Sequence, residues 1–125
     1  MGSLLAGVCA KNGWKAHDNE VMVPLPGGRH QGVRVESFAE AGEELVRLHS
    51  VIGRSDSMGK VRMEAALRLN GHLRHGAIAI KDGDLVLIDT LLLADLSEDE
   101  LERSIQFLAQ TADQYEREIF GTDEH

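Results

Sequence analysis

The chain has a single cysteine, Cys9, which excludes an intrachain disulfide and a cysteine-only zinc site. Proline is scarce at two residues, and the aromatics are one tryptophan, one tyrosine and three phenylalanines. No apolar run approaches the ~18 residues of a membrane-spanning helix. Positive charge is also short, with 13 Lys and Arg against 21 Asp and Glu, a formal net charge of −8. Nucleic-acid backbones and anionic membranes are recognised by clustered cations, so neither is an expected partner. What is present is ordinary globular material. The 125 residues are 42% hydrophobic and 27% charged, with 13 glycines. That length suits one domain, 1–125, around a single core.

The start of the chain does not read as a targeting segment. Its apolar stretch runs only from Leu4 to Ala10 with no Lys or Arg before it, which is too short and too neutral for a secretory signal. Ala6 breaks the myristoylation pattern. A cytoplasmic protein with a reduced, structural Cys9 is expected.

Hydrophobic periodicity gives the order of elements. Residues 3–11 read as a short helix with Leu4, Leu5, Val8 and Cys9 on one side. A strand over 14–26 contains the run Val21-Met22-Val23-Pro24-Leu25 and stops at the turn residues Pro26-Gly27-Gly28. Clean alternation over 29–38 marks a second strand. Residues 39–53 admit a helix over Glu40 to Leu48 or a strand over Leu45 to Ile52; Gly42 and the preceding hairpin favour the strand, at 44–53. A helix over 57–73 follows the cap residues Ser55, Asp56 and Ser57. At ~100° per residue, Met58, Val61, Ala65, Leu69 and Leu73 form its core stripe, and Met63, Leu67 and Asn70 lie roughly opposite.

Strands at 77–81 and 84–89 flank Asp82-Gly83, a strong signal for a two-residue hairpin turn. Both strands are apolar on both faces, so helices are expected over one face and something else over the other. The last helix, 97–120, opens on a capping box from Ser97 to Glu100. Leu101, Ile105, Leu108, Ala112, Tyr115 and Ile119 then form a single stripe. The predicted fold class is α+β, ordered α-β-β-β-α-β-β-α, with an antiparallel sheet flanked by helices.

Signals for chemistry are weak. His72 and His75 are three apart at a helix end, but no third metal ligand stands near them in sequence. Gly27-Gly28 leads into a strand, unlike a phosphate loop, which opens a helix. Cys9 on a helix stripe reads as core. Asp82 and Asp84 belong to the turn; Asp89 and Asp95 have no evident acid–base partner. No catalytic, cofactor-binding or metal-ligating residue is assigned, and no cofactor is expected. Trp14 reads as a core plug or a binding anchor, with core preferred.

The stretch Ala66-Leu67-Arg68-Leu69-Asn70-Gly71-His72-Leu73-Arg74-His75-Gly76-Ala77-Ile78-Ala79-Ile80-Lys81-Asp82-Gly83-Asp84-Leu85-Val86-Leu87 resembles the YbjN-like bacterial family, as does Thr90-Leu91-Leu92-Leu93-Ala94-Asp95-Leu96-Ser97. That family is similar to the type III secretion chaperone fold of the Tir-chaperone kind, with the same order of elements. The resemblance implies a small acidic cytoplasmic protein, usually dimeric, that is not an enzyme and holds a protein client or regulatory partner. It places the homodimer contact around the second helix, where Met63, Leu67 and Asn70 are the candidates. The places for client binding are the exposed sheet face, Trp14 and, on the first helix, Leu4, Leu5 and Val8. The alternative is a small-molecule-binding regulator or an enzyme, with a closed pocket lined by Asp89, His49 or His72.

The negative charge is local. Residues 94–125 carry two basic and ten acidic side chains, while residues 1–93 are close to neutral. The acidity belongs to the last helix and its tail, where a solubilising face is the simplest reading.

Overall fold

The computed structural model describes residues 2–121. Its elements are α1 (Gly2–Asn12), β1 (Lys15–His17), β2 (Glu20–Leu25), β3 (Arg29–Glu40), β4 (Glu43–Arg54), α2 (Lys60–Asn70), β5 (Ala77–Lys81), β6 (Asp84–Leu92) and α3 (Glu98–Ile119). The strands of the described residues form one six-stranded sheet in the order β1-β2-β3-β4-β6-β5. Every neighbouring pair is antiparallel. The fold is α+β, with the helices segregated from an open antiparallel sheet.

Turn chemistry explains the strand count. Asp18-Asn19, Ala41-Gly42 and Asp82-Gly83 each have positive φ at both residues, the backbone that lets a two-residue turn match the twist of its strands. The single strand expected over 14–26 is therefore two strands folded at Asp18-Asn19, and the sheet has six strands rather than five. Asp and Asn adopt this conformation readily; Ala41, at φ 52, does so against its Cβ, at a cost of ~1 kcal/mol. Residues 43–54 are strand, and β4 is the backbone of the sheet, paired with β3 on one side and β6 on the other.

The core lies on one face of the sheet. From α3, Leu101, Ile105, Leu108 and Ala112 are fully buried, and Tyr115 and Ile119 nearly so. They join Val21, Val33, Val46, Leu48, Ile52, Leu85 and Leu87 from four strands in one cluster. The capping box forms: Ser97 Oγ accepts from Glu100 N–H and donates to Glu100 Oε1, both at 3.2 Å. α1 adds Leu5 and Val8 to the same cluster. A Cβ at Gly7 would meet the exposed Glu98 carboxylate, which would have to swing aside. Gly53 leaves room for the Phe120 ring.

Polar links reinforce the layer. The β3–β4 register ends at Arg34↔His49. Past that point side chains bridge the strands: Gln31 Nε2 donates to Ser50 Oγ (2.9 Å) and Val51 C=O (2.7 Å), and Ser50 Oγ donates to Gly32 C=O (2.6 Å). Buried polar groups satisfied in this way stabilise, whereas a missing partner costs about 1–3 kcal/mol. Asp113, buried on α3, accepts from Arg29 Nε (3.3 Å) and Nη2 (3.0 Å) and pairs with Arg117 at 3.3 Å. This ties the middle of α3 to the start of β3.

The second helix departs most from the expected pattern. Ser55–Ser57 forms a 3-10 turn rather than a cap, and Gly59 precedes the helix. The helix spans 60–70 instead of 57–73. Its buried residue is Ala66, with Leu69 and Leu73 packed against the core; Val61, expected in the core stripe, is 82% exposed, and Ala65 is exposed too. The helix sits beside the edge strand β5 rather than across the sheet, so it buries a narrower face: Met58, Leu69 and Leu73 of the expected stripe pack on the core, while Val61 and Ala65 do not.

A core confined to one face has a direct consequence. Leu108→Ala, on α3, should lower unfolding free energy by about 3 kcal/mol, within the ~2–5 kcal/mol range of buried Leu truncations. Leu92→Ala, on the other face, should cost under ~1 kcal/mol, because that side chain is half exposed. Urea denaturation of the two variants checks the contrast.

Candidate functional site

Alternation along the strands sends every second side chain away from α3. By register, Met22 lies opposite Gly32, Arg34 opposite His49, His49 opposite Ile88, Val51 opposite Val86, and Leu45 opposite Leu92. These residues line the face that no described helix covers. Met22 and Val51 are each 42% exposed. Val86 is buried yet lies outside the core cluster, sheltered by its neighbours on this second face. The result is an apolar band, edged by charge, across an otherwise open sheet. Contiguous exposed apolar surface of this kind marks sites of association.

The charges on this face are arranged around His49. Its Nδ1 is buried and has no hydrogen-bond partner among the described residues. Burial holds its pKa below the usual imidazole value, and the cations Lys81 and Arg34 push the same way, against Glu36 and Glu20. Arg47 is fixed nearby: Nε donates to Thr90 Oγ1 (3.1 Å), and the guanidinium sits 4.6 Å from the centre of the Phe38 ring. At the β1–β2–β3 end, the face deepens into a groove of about 450 Å³ lined by Gly13, Lys15, Met22, Pro24 and His30. Its walls combine an apolar floor with a Lys and a His at the rim.

A second cleft, about 390 Å³, lies on the α3 side, lined by His75, Asp89, Thr90, Leu91, Glu100, Arg103 and Ser104. His75 Nδ1–H donates to Asp89 Oδ2 at 2.9 Å, and the imidazole packs on Phe107 with ring centres 4.3 Å apart. Asp89 Oδ1 accepts from Thr90 N–H (2.9 Å). A carboxylate-oriented imidazole is half of a general-base arrangement. The other half would be a nucleophile bonded to it, and Ser104 lines the cleft without such a bond among the described residues. The contact clamps the 71–76 segment onto β6 and α3. His72 is exposed and does not line this cleft. Among the described residues no three His, Cys, Asp or Glu side chains form a metal-holding group. Burial pushes the Cys9 thiol up from its ordinary pKa, away from the reactive thiolate.

The residues singled out in the sequence are dispersed. Leu5 and Val8 are buried in the core, so two of the four client candidates lack the exposed surface a client would touch. The reason is that α1 packs on α3 and has no apolar side chains to spare. Leu4 and Trp14 are partly buried against the core, and Trp14 N–H donates to Cys9 C=O at 3.0 Å. Met63 is half-buried and Leu67 exposed. Asn70 faces β5: Oδ1 accepts from Ile78 N–H (2.6 Å) and Nδ2 donates to Ile78 C=O (3.4 Å). Its amide therefore serves its own sheet. Met22, Pro24 and Val51 are not among the individual sequence candidates, and His49 enters there only as a pocket residue of the alternative. The available signal was the doubly apolar character of the strands, read only for β5 and β6.

Comparison with known proteins places the fold. A model of the YbjN family, described as "Putative bacterial sensory transduction regulator", matches residues 3–121. The chain belongs to the YbjN family. No curated protein matches it in sequence. Among solved structures, the ExsC–ExsE complex aligns with a TM-score of 0.67 at 21% identity, covering 94% of this chain and 91% of that one. The type III secretion chaperone SycH of Yersinia pestis, in complex with a stable fragment of YscM2, aligns at 0.59 and 17% identity, covering 90% and 97%. YbjN of E. coli aligns at 0.59 and 10% identity, covering 98% and 93%. These likenesses establish the chaperone-like fold. No helix among the described residues is long and apolar enough to cross a membrane.

The depressed pKa of His49 gives a pH-dependent stability with a defined sign. The unfolded chain binds a proton near pH ~6.5 that the folded chain takes up only at lower pH. The His49 contribution is thus complete above ~6.5 and is lost as pH falls below it. His49→Gln should flatten the loss of the urea midpoint between pH 7.5 and 5 relative to the parent, and the His49 imidazole should titrate below ~6.5 by NMR.

Proposed function

We propose that this chain, as a member of the YbjN family, is a non-enzymatic protein-binding module that holds a segment of a client or regulatory partner protein, and that it works in the cytoplasm as a homodimer. The observation that carries this reading is the uncovered sheet face with its groove at Gly13, Lys15, Met22, Pro24 and His30. An extended partner segment can place apolar side chains on Met22 and Pro24, where each one fully buried contributes ~1.5–3 kcal/mol. Lys15 and His30 at the rim favour a segment that carries carboxylates. Trp14, between two lining residues in sequence, and Leu4 remain candidates for the same contact. The fold likeness to ExsC in complex with ExsE, and to SycH with a fragment of YscM2, supports the reading by analogy.

For the homodimer, the outer side of α2 is the proposed contact. Leu67 and Val61 are exposed there and Met63 is half-buried, more apolar surface than a solvent-facing helix needs. The enzymatic or small-molecule alternative would be favoured by a closed pocket lined by Asp89, His49 or His72. Of these, Asp89 lines the open cleft on the α3 side together with His75, and His49 lies on the opposite sheet face.

Affinity capture from the native lysate tests the binding reading. A dominant protein should co-purify with the parent chain and fall at least tenfold with Met22→Asp, while the thermal midpoint stays within a few degrees because Met22 lies outside the core. Equal capture by both chains would overturn the groove as the site. Light scattering should give twice the 13.7 kDa chain mass at tens of micromolar, and Leu67→Glu should return the mass to that of one chain. A monomeric parent would remove the homodimer.

A further inference from the structure

An antiparallel sheet of six strands has two edges, and an exposed edge is a template for pairing with another chain. The β1 edge is short, three residues, and its single outward-facing backbone pair, at Ala16, is flanked by Lys15 and His17. The β5 edge lacks that protection. Ala77, Ile78, Ala79 and Ile80 are apolar in succession, the only charge on the strand is Lys81 at its end, and the Ile80 side chain is 56% exposed.

The register of β5 shows which backbone groups point outward. Lys81 pairs with Asp84 across the two-residue turn, and Ala79 with Val86 and Ala77 with Ile88 follow at intervals of two. Those residues exchange hydrogen bonds with β6. Ile78 and Ile80 therefore turn their N–H and C=O groups away from the sheet. The outward pair of Ile78 is the one that Asn70 engages, accepting from its N–H at 2.6 Å and donating to its C=O at 3.4 Å. One side-chain amide thus makes the two hydrogen bonds that a residue of a seventh strand would make.

We propose that Asn70 is an edge plug: its amide occupies the place of a second copy's β5 and prevents β5-to-β5 pairing between chains. The occupant excluded is a second copy, because an antiparallel edge is self-complementary under a two-fold axis and this one offers an apolar run without an inward-pointing charge. A plug on α2 also separates the two ways in which copies could associate. Helix-to-helix contact through Leu67 leaves Asn70 in place, whereas edge pairing requires its removal. The inference holds whether the parent chain is a monomer or a dimer.

The test compares the parent, Asn70→Ala and Asn70→Ala/Ile80→Lys by light scattering over a hundredfold range of concentration, with hydrogen exchange at Ile78 and Ile80. Asn70→Ala should at least double the mass of the parent species as concentration rises. Its Ile78 amide should exchange fast when dilute and slowly in the larger species. Ile80→Lys, placing a charge on the edge, should restore the parent mass. An unchanged mass for Asn70→Ala, or a larger species that persists with Ile80→Lys, overturns the plug. If Asn70→Ala does not fold, Asn70→Leu, which keeps the side-chain size and removes both donor and acceptor, is judged by the same two criteria.

Discussion

The structure depends on one amphipathic helix lying across one face of one sheet. α3 supplies a single stripe from Leu101 to Ile119, and the strands answer with Val21, Val33, Val46, Leu48 and Leu87. That stripe can satisfy only one layer. With α1 also on α3, and α2 against the β5 edge, all three helices lie away from the second face. Among the described residues no further element covers it, so the strands carry apolar residues there that stay uncovered. The open face follows from the number of helices rather than from any local peculiarity of sequence.

Charge follows the same division. The acidic residues of α3 occupy its solvent side, and its first turn, Glu98 to Glu100, is where the helix dipole favours them. Lys11 at the end of α1 reaches Asp99 at 3.4 Å and Glu102 at 3.2 Å, so part of that acidity orients the α1–α3 contact. Lys11 is solvent-exposed, so these pairs contribute little to stability. Asp113 differs because it is buried, and Arg29 and Arg117 both converge on it. The opposite face carries Arg34, Arg47 and Lys81 with Glu20 and Glu36. An acidic helical side and a mixed, partly apolar sheet side give the molecule two unlike surfaces. Only the second combines apolar area with fixed polar groups, as a binding surface requires.

How far the sequence could be read depended on the scale of the signal. Five turns of the α3 stripe, the Ser97–Glu100 capping box and Asp82-Gly83 are repeated or strong local signals, and the order of elements followed from them. Ala41-Gly42 was harder to recognise, because alanine is a poor residue for positive φ and only the pull of two long strands holds it there. Asp18-Asn19 is good turn chemistry hidden inside a run that alternates on both sides. The width of the α2 core face was overestimated, taking in Val61 and Ala65, because a short helix with one fully buried residue, Ala66, has almost no periodicity to measure. Leu5 and Val8 looked available because periodicity locates an apolar stripe without saying what covers it. Asn70 is the clearest limit. Its role depends on a hydrogen-bond pair with a residue eight positions away across a reversal of the chain, and no spacing rule encodes that.

The α2–β5 region shows how a marginal element acquires a role. α2 buries too little apolar surface to be held by the core alone, and helices of its length are unstable in isolation. It is held by Ala66 and Leu69 beneath, by Asn70 on Ile78, and by the 71–76 segment clamped through His75 to Asp89 and Phe107. Gly76 makes that return possible: at φ 80, a Cβ there would meet the Ile88 carbonyl at 2.8 Å. These contacts are polar or small in area, so this corner should open before the α3 layer does. The least stable part of the molecule thus stands at the longer of its two sheet edges, beside an exposed apolar helix side. Both routes by which copies could meet pass through this corner, and the state of α2 decides which of them is available.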